Sequence, residues 1–216
     1  MLPLISVVMP TCNRRAFIPD AIKCYQSQTY PNKELIVVDN GDDSIEDLIP
    51  SGVVYEHIGI KKRTTGEMRN LACAKAKGKI ICHFDDDDHS HPLRIAEQYK
   101  LMTAMCVSLT GYNTMFFIDE TRQLAWIYRN PELYALGTSL MYTRDYWRGG
   151  KFPDKDVAED TAFIERAQWR RALAVCDARD RIVARIHPEN TCKKEKYMLP
   201  PMWTPVTYDS VHRMII

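Results

Sequence analysis

The sequence predicts an α/β domain whose N-terminal half is a parallel β-sheet with crossover helices. Short apolar runs rich in β-branched residues alternate with stretches of helical periodicity in this half. Such alternation is typical of βαβ units whose strands are buried on both faces. The second half changes to longer runs that favour antiparallel pairing. We therefore expect a Rossmann-like parallel half that continues into a mixed central sheet flanked by helices.

Composition places the chain among ordinary globular proteins. Its 216 residues are 45% hydrophobic and 26% charged, which excludes disordered and low-complexity architectures. The 29 basic and 28 acidic residues leave a net charge of +1, so we expect no nucleic-acid partner. Every apolar run is shorter than about 18 residues, so we expect no transmembrane segment. Seven scattered cysteines without a C-x-x-C pair argue against zinc and favour a reducing, cytoplasmic compartment.

The first two strands and the helix between them are the clearest elements. The run Leu4–Met9 (LISVVM) is apolar and β-branched, and Pro10 ends it. Apolar residues from Phe17 to Tyr25 recur at helical spacing, and Leu35–Val38 (LIVV) forms the second buried run. A strand, a helix and a strand in such close succession predict a parallel pair with a right-handed crossover.

The pattern continues to the middle of the chain. We expect a third short strand at Val53–His57. Thr64 and Glu67 form a capping box at the start of a helix, because each side chain can accept a hydrogen bond from the free backbone amide of the other residue. The run Lys79–Phe84 (KIICHF) predicts another strand, and Pro92 begins a helix that ends near Met105.

The second half predicts a mixture of strands and one long helix. A polar turn separates two runs that predict an antiparallel pair, and a tail rich in proline predicts a surface loop from Cys192 onward. The predicted elements are strands at Val107–Ile118, Gln123–Tyr128, Thr138–Tyr142, around Val175 and at Ile182–Ile186, and a helix from Asp160 to about Arg171.

Polar clusters follow three of the predicted strands. They are Pro10–Arg14, the pair Asp39 and Asn40, and the run Asp85–Asp88. If these strands are parallel neighbours, the clusters meet at one edge of the sheet, where ligands bind in such folds. Four consecutive aspartates repel one another, and a hard cation such as Mg²⁺ or Mn²⁺ relieves the repulsion. A solvated acidic loop that caps a helix is the alternative.

Four segments together resemble a known enzyme family. They are SVVMPTCNRRAFIPDAIKCYQSQTYPNKELIVVDNG, TTGEMRNLACAKAKGKIICHFDDDD, GTSLMYTRDYW and FPDKDVAEDTAFIERA. Their order and spacing resemble a family 2 glycosyltransferase of the GT-A fold, over roughly residues 4 to 190. The resemblance implies an inverting enzyme that moves a sugar from a nucleotide-diphosphate sugar, with UDP favoured, to an acceptor hydroxyl.

The resemblance also implies residues for the donor. Asp39 would accept a hydrogen bond from the N3 imide of uracil, and its alternative role is to hold the turn before Gly41. Arg69 would face the nucleotide, and its alternative is a surface arginine. The implied nucleotide-sugar contacts are Pro10, Thr11, Asn13, Arg14, Asp39, Arg69, Asp85 and Asp86.

A divalent metal, Mn²⁺ or Mg²⁺, is implied by the same resemblance. Asp87 matches the metal-binding position, Asp85 lies nearby in the run, and His187 matches a histidine that reaches the metal or the diphosphate in some members. The metal would neutralise the diphosphate leaving group. Which aspartate is the direct ligand stays open, because four in a row allow the register to slip by one.

The catalytic residues implied are Asp160 and its neighbour Glu159, which match an E-D motif. In inverting members the aspartate removes the proton from the attacking hydroxyl. Asp160 is also a suitable N-cap for the helix that follows. For Trp147 the sequence favours core packing, and an aromatic platform for a sugar ring is the alternative.

We expect a single domain over 1–216. Residues 1–105 would bind the nucleotide sugar, 106–190 would supply the acceptor and catalytic half, and 191–216 would form the tail. The acceptor class stays open among glycan, lipid-linked sugar and protein, and a lipid-linked acceptor would bring the chain to a membrane surface. Two other functions compete: a nucleotidyltransferase, disfavoured because PTCNRR lacks glycine, and a non-catalytic nucleotide-sugar-binding domain, disfavoured because Asp160 is present.

Overall fold

The N-terminal half of the central sheet is parallel, as the sequence predicts. The computed structural model describes residues 1–59, 61–177, 179–193 and 198–215. Strands β1 (Ile5–Thr11), β2 (Lys33–Asp39), β3 (Val54–His57) and β4 (Ile80–His83) lie in the order β4-β1-β2-β3. All three contacts between these neighbours are parallel. The strands that precede the three polar clusters are therefore adjacent, and the prediction of a shared sheet edge is confirmed.

Helices cover both faces of this parallel half. Helix α1 (Ile18–Gln26) packs on the face that carries Val7, and helix α2 (Thr65–Lys75) packs on the opposite face with Val8. The alternation of Val7 and Val8 follows from the two-residue period of a strand. The predicted capping box at the start of α2 is present. A short strand, β5 (His89–Ser90), and helix α3 (Arg94–Ala104) follow β4.

One long strand organises the second half. Strand β6 (Leu109–Asp119) pairs antiparallel with β7 (Leu124–Arg129) and with β8 (Met141–Thr143), and β8 joins it to β4. Its remaining pairings are parallel, with β9 (Leu173–Asp177) and β10 (Ile182–Arg185). The helices here are α4 (Arg144–Arg148), which the sequence did not predict, and α5 (Thr161–Trp169). One mixed sheet thus connects the two halves.

The predicted strand Thr138–Tyr142 is wrong in its first part. Residues Gly137–Ser139 form a 3₁₀ turn, and the strand begins only at Met141. Ser139 explains the difference, because its Oγ donates to the Leu136 carbonyl at 2.6 Å and accepts from the Tyr112 amide at 2.8 Å. Serine side chains that bond to nearby backbone compete with a strand ladder in this way.

The tail is more ordered than the loop that the sequence predicts. Strand β11 (Trp203–Val206) pairs antiparallel with β7, and helix α6 (Tyr208–His212) follows it. Pro205 fits because β11 is the outermost strand and its outer side needs no ladder bond. The part of the predicted loop at 194–197 and residue 216 lie outside the described residues. Within the described ranges, no helix combines the length and apolarity needed to cross a bilayer.

A buried arginine at the start of α3 ties the two halves together. Arg94 is 0% exposed, and its guanidinium donates to the carbonyls of His83 at 2.5 Å and Thr138 at 2.9 Å. It also donates to Ser90 Oγ at 2.7 Å. Its guanidinium carbon lies 4.4 Å from the centre of the Phe84 ring. A buried charge needs such complete hydrogen bonding, because isolated burial of an ion is costly.

We expect Arg94→Leu to lower the free energy of unfolding by about 3 kcal/mol, because buried carbonyl and hydroxyl acceptors would lose their donor. Urea denaturation followed by far-UV circular dichroism measures the change. Lys100→Met, at an exposed position of the same helix, is the control and should change stability by no more than about 0.5 kcal/mol. Equal stability of the two variants would contradict the role given to Arg94.

Candidate active site

A single cleft of about 660 Å³ lies at the carboxyl edge of the parallel strands. Its volume falls within the range of small-molecule sites. The cleft brings residues from the first half together with residues just before α5. The predicted site residues that line it are Pro10, Thr11, Arg14, Arg69, Asp85, Asp86, Asp87, Glu159 and Asp160.

Asp86 and Asp87 are buried and share one arginine. The Arg14 Nη1 lies 3.0 Å from Asp86 Oδ1 and also pairs with Asp87 Oδ2. The second guanidinium nitrogen of Arg14 donates to the Glu189 carbonyl at 2.8 Å. Burial raises the pKa of Asp86 to about 7, with Arg14 opposing the rise and Asp87 adding to it. This end of the cleft therefore carries acidic groups that need a cation beside them.

His187 lies against the same aspartate. Its Nε2 is 3.0 Å from Asp87 Oδ2, and Asn190 Nδ2 lies 3.2 Å from that oxygen. The Phe17 ring packs on the imidazole, with 4.7 Å between the centroids. The structure thus brings His187 to the aspartate predicted to bind metal. Asn190 has no counterpart among the predicted residues, because nothing in its local sequence shows that the chain folds back onto the Asp85–Asp88 run.

The two ends of the acidic run have different partners. Asp88 accepts from Thr138 Oγ1 at 2.7 Å and from the Arg185 amide at 3.1 Å, so it anchors the run to β10 and to the 3₁₀ turn. Asp85 has the most exposed side chain of the four, at 29%, and its Oδ1 lies 3.7 Å from Arg69 Nη2. The alternative of a solvated acidic loop is therefore wrong for Asp86, Asp87 and Asp88.

Arg69 connects the acidic run to the E-D motif. Its Nε lies 3.2 Å from Glu159 Oε1, and its Nη1 donates to the Gly137 carbonyl at 3.2 Å. Arg69 is 5% exposed, which excludes the alternative of a surface arginine. Burial raises the pKa of Glu159, and the charge of Arg69 opposes that rise. An ion pair in the wall of the cleft thus spans the two groups of carboxylates.

Asp160 lies at the N-cap position of α5, but its side chain makes no capping hydrogen bond. The carboxylate lies against Gly137 instead, so closely that a Cβ at Gly137 would overlap it. A side chain at position 137 would therefore displace the carboxylate. The position leaves Asp160 in the cleft, at the end of a helix and next to the turn that also contacts Arg69.

Two residues predicted to bind the donor lie outside the cleft lining. Asp39 is 1% exposed and accepts from the Gly41 amide at 2.8 Å and from the Tyr55 hydroxyl at 2.9 Å. These bonds match its alternative role in holding the turn. Asn13 exchanges side-chain and backbone hydrogen bonds with Asp42. The contacts of Asp39 and Asn13 with a nucleotide therefore stay predictions.

Trp147 belongs to the core, as the sequence favours, and not to an aromatic platform. Trp147 is 6% exposed, and its Nε1 donates to Asn70 Oδ1 at 2.9 Å. Other aromatic residues line the cleft instead, among them Tyr128, Tyr134 and Trp203. The sequence could not indicate them, because Trp203 reaches the cleft only through the pairing of β11 with β7.

The donor atoms around Asp87 fit a divalent cation that takes part of its coordination from the substrate. Asp87 Oδ2 and His187 Nε2 form a hydrogen bond of 3.0 Å, so both donor atoms lie close enough together to become ligands of one ion that prefers oxygen and nitrogen. No group of three or more His, Cys, Asp or Glu in the described ranges is arranged to hold a metal. Phosphate oxygens and water commonly supply the remaining ligands of Mg²⁺.

Comparison with known proteins agrees with the resemblance. The family model described as glycosyl transferase family 2 matches residues 6–182. The O-antigen biosynthesis glycosyltransferase WbnJ of Escherichia coli is 31% identical over 117 residues, which cover 51% of this chain and 46% of WbnJ. The Escherichia coli UDP-Glc:alpha-D-GlcNAc-diphosphoundecaprenol beta-1,3-glucosyltransferase WfaP is 25% identical over 146 residues, 65% of this chain and 57% of WfaP. The chain spans about half the length of the curated relatives it matches.

Solved structures share the architecture. S. aureus TarS 1-349 in complex with UDP-GlcNAc has a TM-score of 0.70 at 17% identity, over 98% of this chain and 65% of that one. The mannosyltransferase PcManGT from Pyrobaculum calidifontis, in complex with GDP-Man and Mn²⁺, has a TM-score of 0.64 at 16% identity, over 88% and 59%. These likenesses establish the GT-A fold, and the match over residues 6–182 shows that the chain belongs to glycosyltransferase family 2.

Proposed function

We propose that the chain is an inverting glycosyltransferase that transfers a sugar from a UDP-sugar to an acceptor hydroxyl. The observation that carries the proposal is that the Asp85–Asp88 run and Asp160 line one cleft. Arg69 joins the two groups, with one nitrogen near Asp85 and another near Glu159. A transferase of this kind needs a site for the diphosphate and, within reach of it, a base for the acceptor.

In the proposed reaction Asp160 acts as the general base. Its carboxylate takes the proton of the acceptor hydroxyl while that oxygen attacks the anomeric carbon of the donor. The new C–O bond forms as the bond from the anomeric carbon to the diphosphate breaks, and UDP leaves with the electron pair. Attack opposite the leaving group inverts the configuration. Contact with Gly137 limits where the carboxylate can lie, which supports proton transfer in the transition state.

A divalent metal, Mn²⁺ or Mg²⁺, would stabilise the negative charge that develops on the departing diphosphate. Asp85, Asp87 and His187 are the residues proposed to hold it. Arg14 occupies one oxygen of Asp87, so the guanidinium has to release that oxygen when the cation binds. The guanidinium of Arg14 would then be available to pair with a phosphate, because its parallel N–H donors match phosphate oxygens.

The donor half is proposed to be residues 1–105, with Pro10, Thr11, Arg14, Arg69, Asp85 and Asp86 in contact with the nucleotide sugar. Asn13 and Asp39 complete the proposed set. The TarS complex with UDP-GlcNAc supports a uridine nucleotide, whereas the PcManGT complex contains GDP-Man. UDP is favoured because Asp39, the last residue of β2, is the residue that the family resemblance assigns to the N3 imide of uracil, and its neighbour Asn40 lines the cleft.

The acceptor is proposed to bind to the half formed by 106–190. The name of WfaP describes a sugar linked to diphosphoundecaprenol as the acceptor. A lipid-linked sugar, a free glycan and a protein are the classes under consideration. With a lipid-linked acceptor, this chain would work in the cytoplasm at a membrane surface.

Calorimetric titration of UDP, GDP and ADP with and without Mn²⁺ tests the donor assignment. We expect UDP to bind more tightly in the presence of Mn²⁺, followed by slow hydrolysis when UDP-sugars are supplied. Tighter binding of GDP than of UDP would indicate a GDP-sugar as the donor. Diphosphate binding without hydrolysis or transfer would favour an accessory binding domain, and failure to bind any diphosphate would overturn the proposal.

Asp160→Asn tests the proposed base. Transfer should fall by about 10²- to 10⁴-fold, because asparagine cannot take the proton. Calorimetric UDP affinity should stay within about threefold of wild type, since the substitution removes no phosphate contact. Asp145→Asn, at an exposed position of α4, is the control with unchanged turnover. Near-normal transfer by Asp160→Asn would contradict the assignment.

Asp87→Ala tests the metal site. The Mn²⁺-dependent gain in UDP affinity should shrink at least about tenfold, because the carboxylate is the proposed ligand nearest to His187. Titration of Mn²⁺ followed by electron paramagnetic resonance measures loss of bound metal directly. Asp43→Ala, with an exposed carboxylate paired to Arg15, is the control. Unchanged Mn²⁺ binding would place the metal ligand elsewhere in the run.

A further inference from the structure

The cleft has an aromatic wall. We define this wall as Phe117 on β6, Tyr128 on β7 and Trp203 on β11, all of which line the cleft. The Trp203 ring lies 4.6 Å from that of Phe117 and 5.1 Å from that of Tyr128, measured between centroids. Phe117 and Trp203 are buried, whereas Tyr128 is partly exposed. The two buried rings therefore pack against the Tyr128 ring and restrict its orientation.

The aromatic wall is continuous with the proposed base. Leu136 packs on the same apolar cluster as Phe117 and Trp203. The next residue is Gly137, against which the Asp160 carboxylate lies. Tyr134 lines the cleft in this region, and burial together with the charge of Asp160 raises the pKa of its hydroxyl to about 12. Tyr134 lies within electrostatic range of both Asp160 and Tyr128, so a ligand stacked on Tyr128 would be near the Asp160 carboxylate.

We propose that the aromatic wall is the acceptor subsite and that it binds a pyranose ring, stacked on Tyr128 with a hydroxyl directed to Asp160. This inference rests on the proposed glycosyl transfer and narrows its acceptor to a carbohydrate. The distribution of charged side chains in the cleft also supports this assignment. Arg14 pairs with Asp86 and Arg69 pairs with Asp85 of the acidic run, where a diphosphate and cation belong, and the aromatic wall remains for the second substrate.

The chemistry of the wall favours a sugar over an alkyl chain. A pyranose has an apolar face of C–H groups and an edge of hydroxyls, and a tyrosine likewise combines an apolar ring with a polar tip. The Tyr128 hydroxyl accepts from Asn130 Nδ2 at 3.2 Å, so a polar group borders the ring. An alkyl chain would bury this polar edge and the Asp160 carboxylate without new hydrogen bonds, which is costly. A serine or threonine acceptor is too small to cover the ring.

Saturation-transfer NMR on the full chain tests the inference without requiring turnover. The probes are methyl β-D-glucopyranoside, methyl β-D-galactopyranoside and methyl N-acetyl-β-D-glucosaminide, each with UDP and Mn²⁺. We expect at least one glycoside to receive saturation mainly at the ring C–H protons of one face. Tyr128→Ala should raise the dissociation constant of that glycoside about tenfold, in line with the loss of one aromatic contact.

Two variants make the result specific. Tyr128→Phe keeps the ring and should retain most of the binding, whereas Trp169→Ala removes an aromatic side chain that is 89% exposed and should change nothing. Circular dichroism on every variant verifies folding. No saturation of any glycoside in the wild type, saturation confined to the O-methyl group, or equal affinity of Tyr128→Ala and wild type would each overturn the inference.

UDP calorimetry on the same samples separates this outcome from failure of the proposed function. If UDP binds with Mn²⁺ but no glycoside contacts the wall, the acceptor subsite alone is wrong. If UDP does not bind, the donor assignment fails, and the response of glycosides to Tyr128→Ala still decides whether the wall binds sugar. Displacement of a glycoside by octanol but not by the other glycosides would indicate an alkyl chain and overturn the carbohydrate assignment.

Discussion

The buried charge of Arg94 is the constraint on which the site depends. Its guanidinium binds the His83 carbonyl, at the end of β4, and the Ser90 hydroxyl, in β5. The Asp85–Asp88 run lies between these two residues, so one side chain fixes both of its ends. Because the guanidinium also binds the Thr138 carbonyl, the acidic run cannot shift relative to the turn that contacts Asp160. A cation with five donors suits this task, since several carbonyl and hydroxyl oxygens converge on it.

The four aspartates avoid mutual repulsion by having different surroundings. Asp88 is held by neutral donors, Asp86 and Asp87 share Arg14, and Asp85 faces Arg69. Of the four, Asp87 is the buried carboxylate that hydrogen-bonds to His187. This division gives the physical reason for preferring Asp87 as the metal position, although the sequence left the register open. The same arrangement implies that a cation and Arg14 would compete for one carboxylate oxygen of Asp87.

The sequence predicts the fold best where the local pattern of residues and their tertiary environment agree. The apolar runs that became β1, β2 and β4, and the capping box of α2, are encoded by residues close together in the chain. The turn at Gly137–Ser139 and strand β11 were not predictable in this way. Ser139 and Trp203 are placed by partners far along the chain, the Tyr112 amide and strand β7. Within the site, the acidic run and Asp160 were identified, whereas Arg94 and Tyr128 required the topology.

The three-residue turn also explains how two substrates could be aligned with little moving structure. Thr138 contacts Arg94 through its carbonyl and Asp88 through its hydroxyl. Gly137 contacts Arg69 through its carbonyl and leaves room for the Asp160 carboxylate. Asp88 of the acidic run and Asp160, the proposed base, are thus positioned by adjacent residues of one turn. Since a misplacement of about 1 Å can cost about 100-fold in rate, such a common support gives a reason for the 3₁₀ turn at Thr138 and Ser139, where the sequence pattern alone predicted strand.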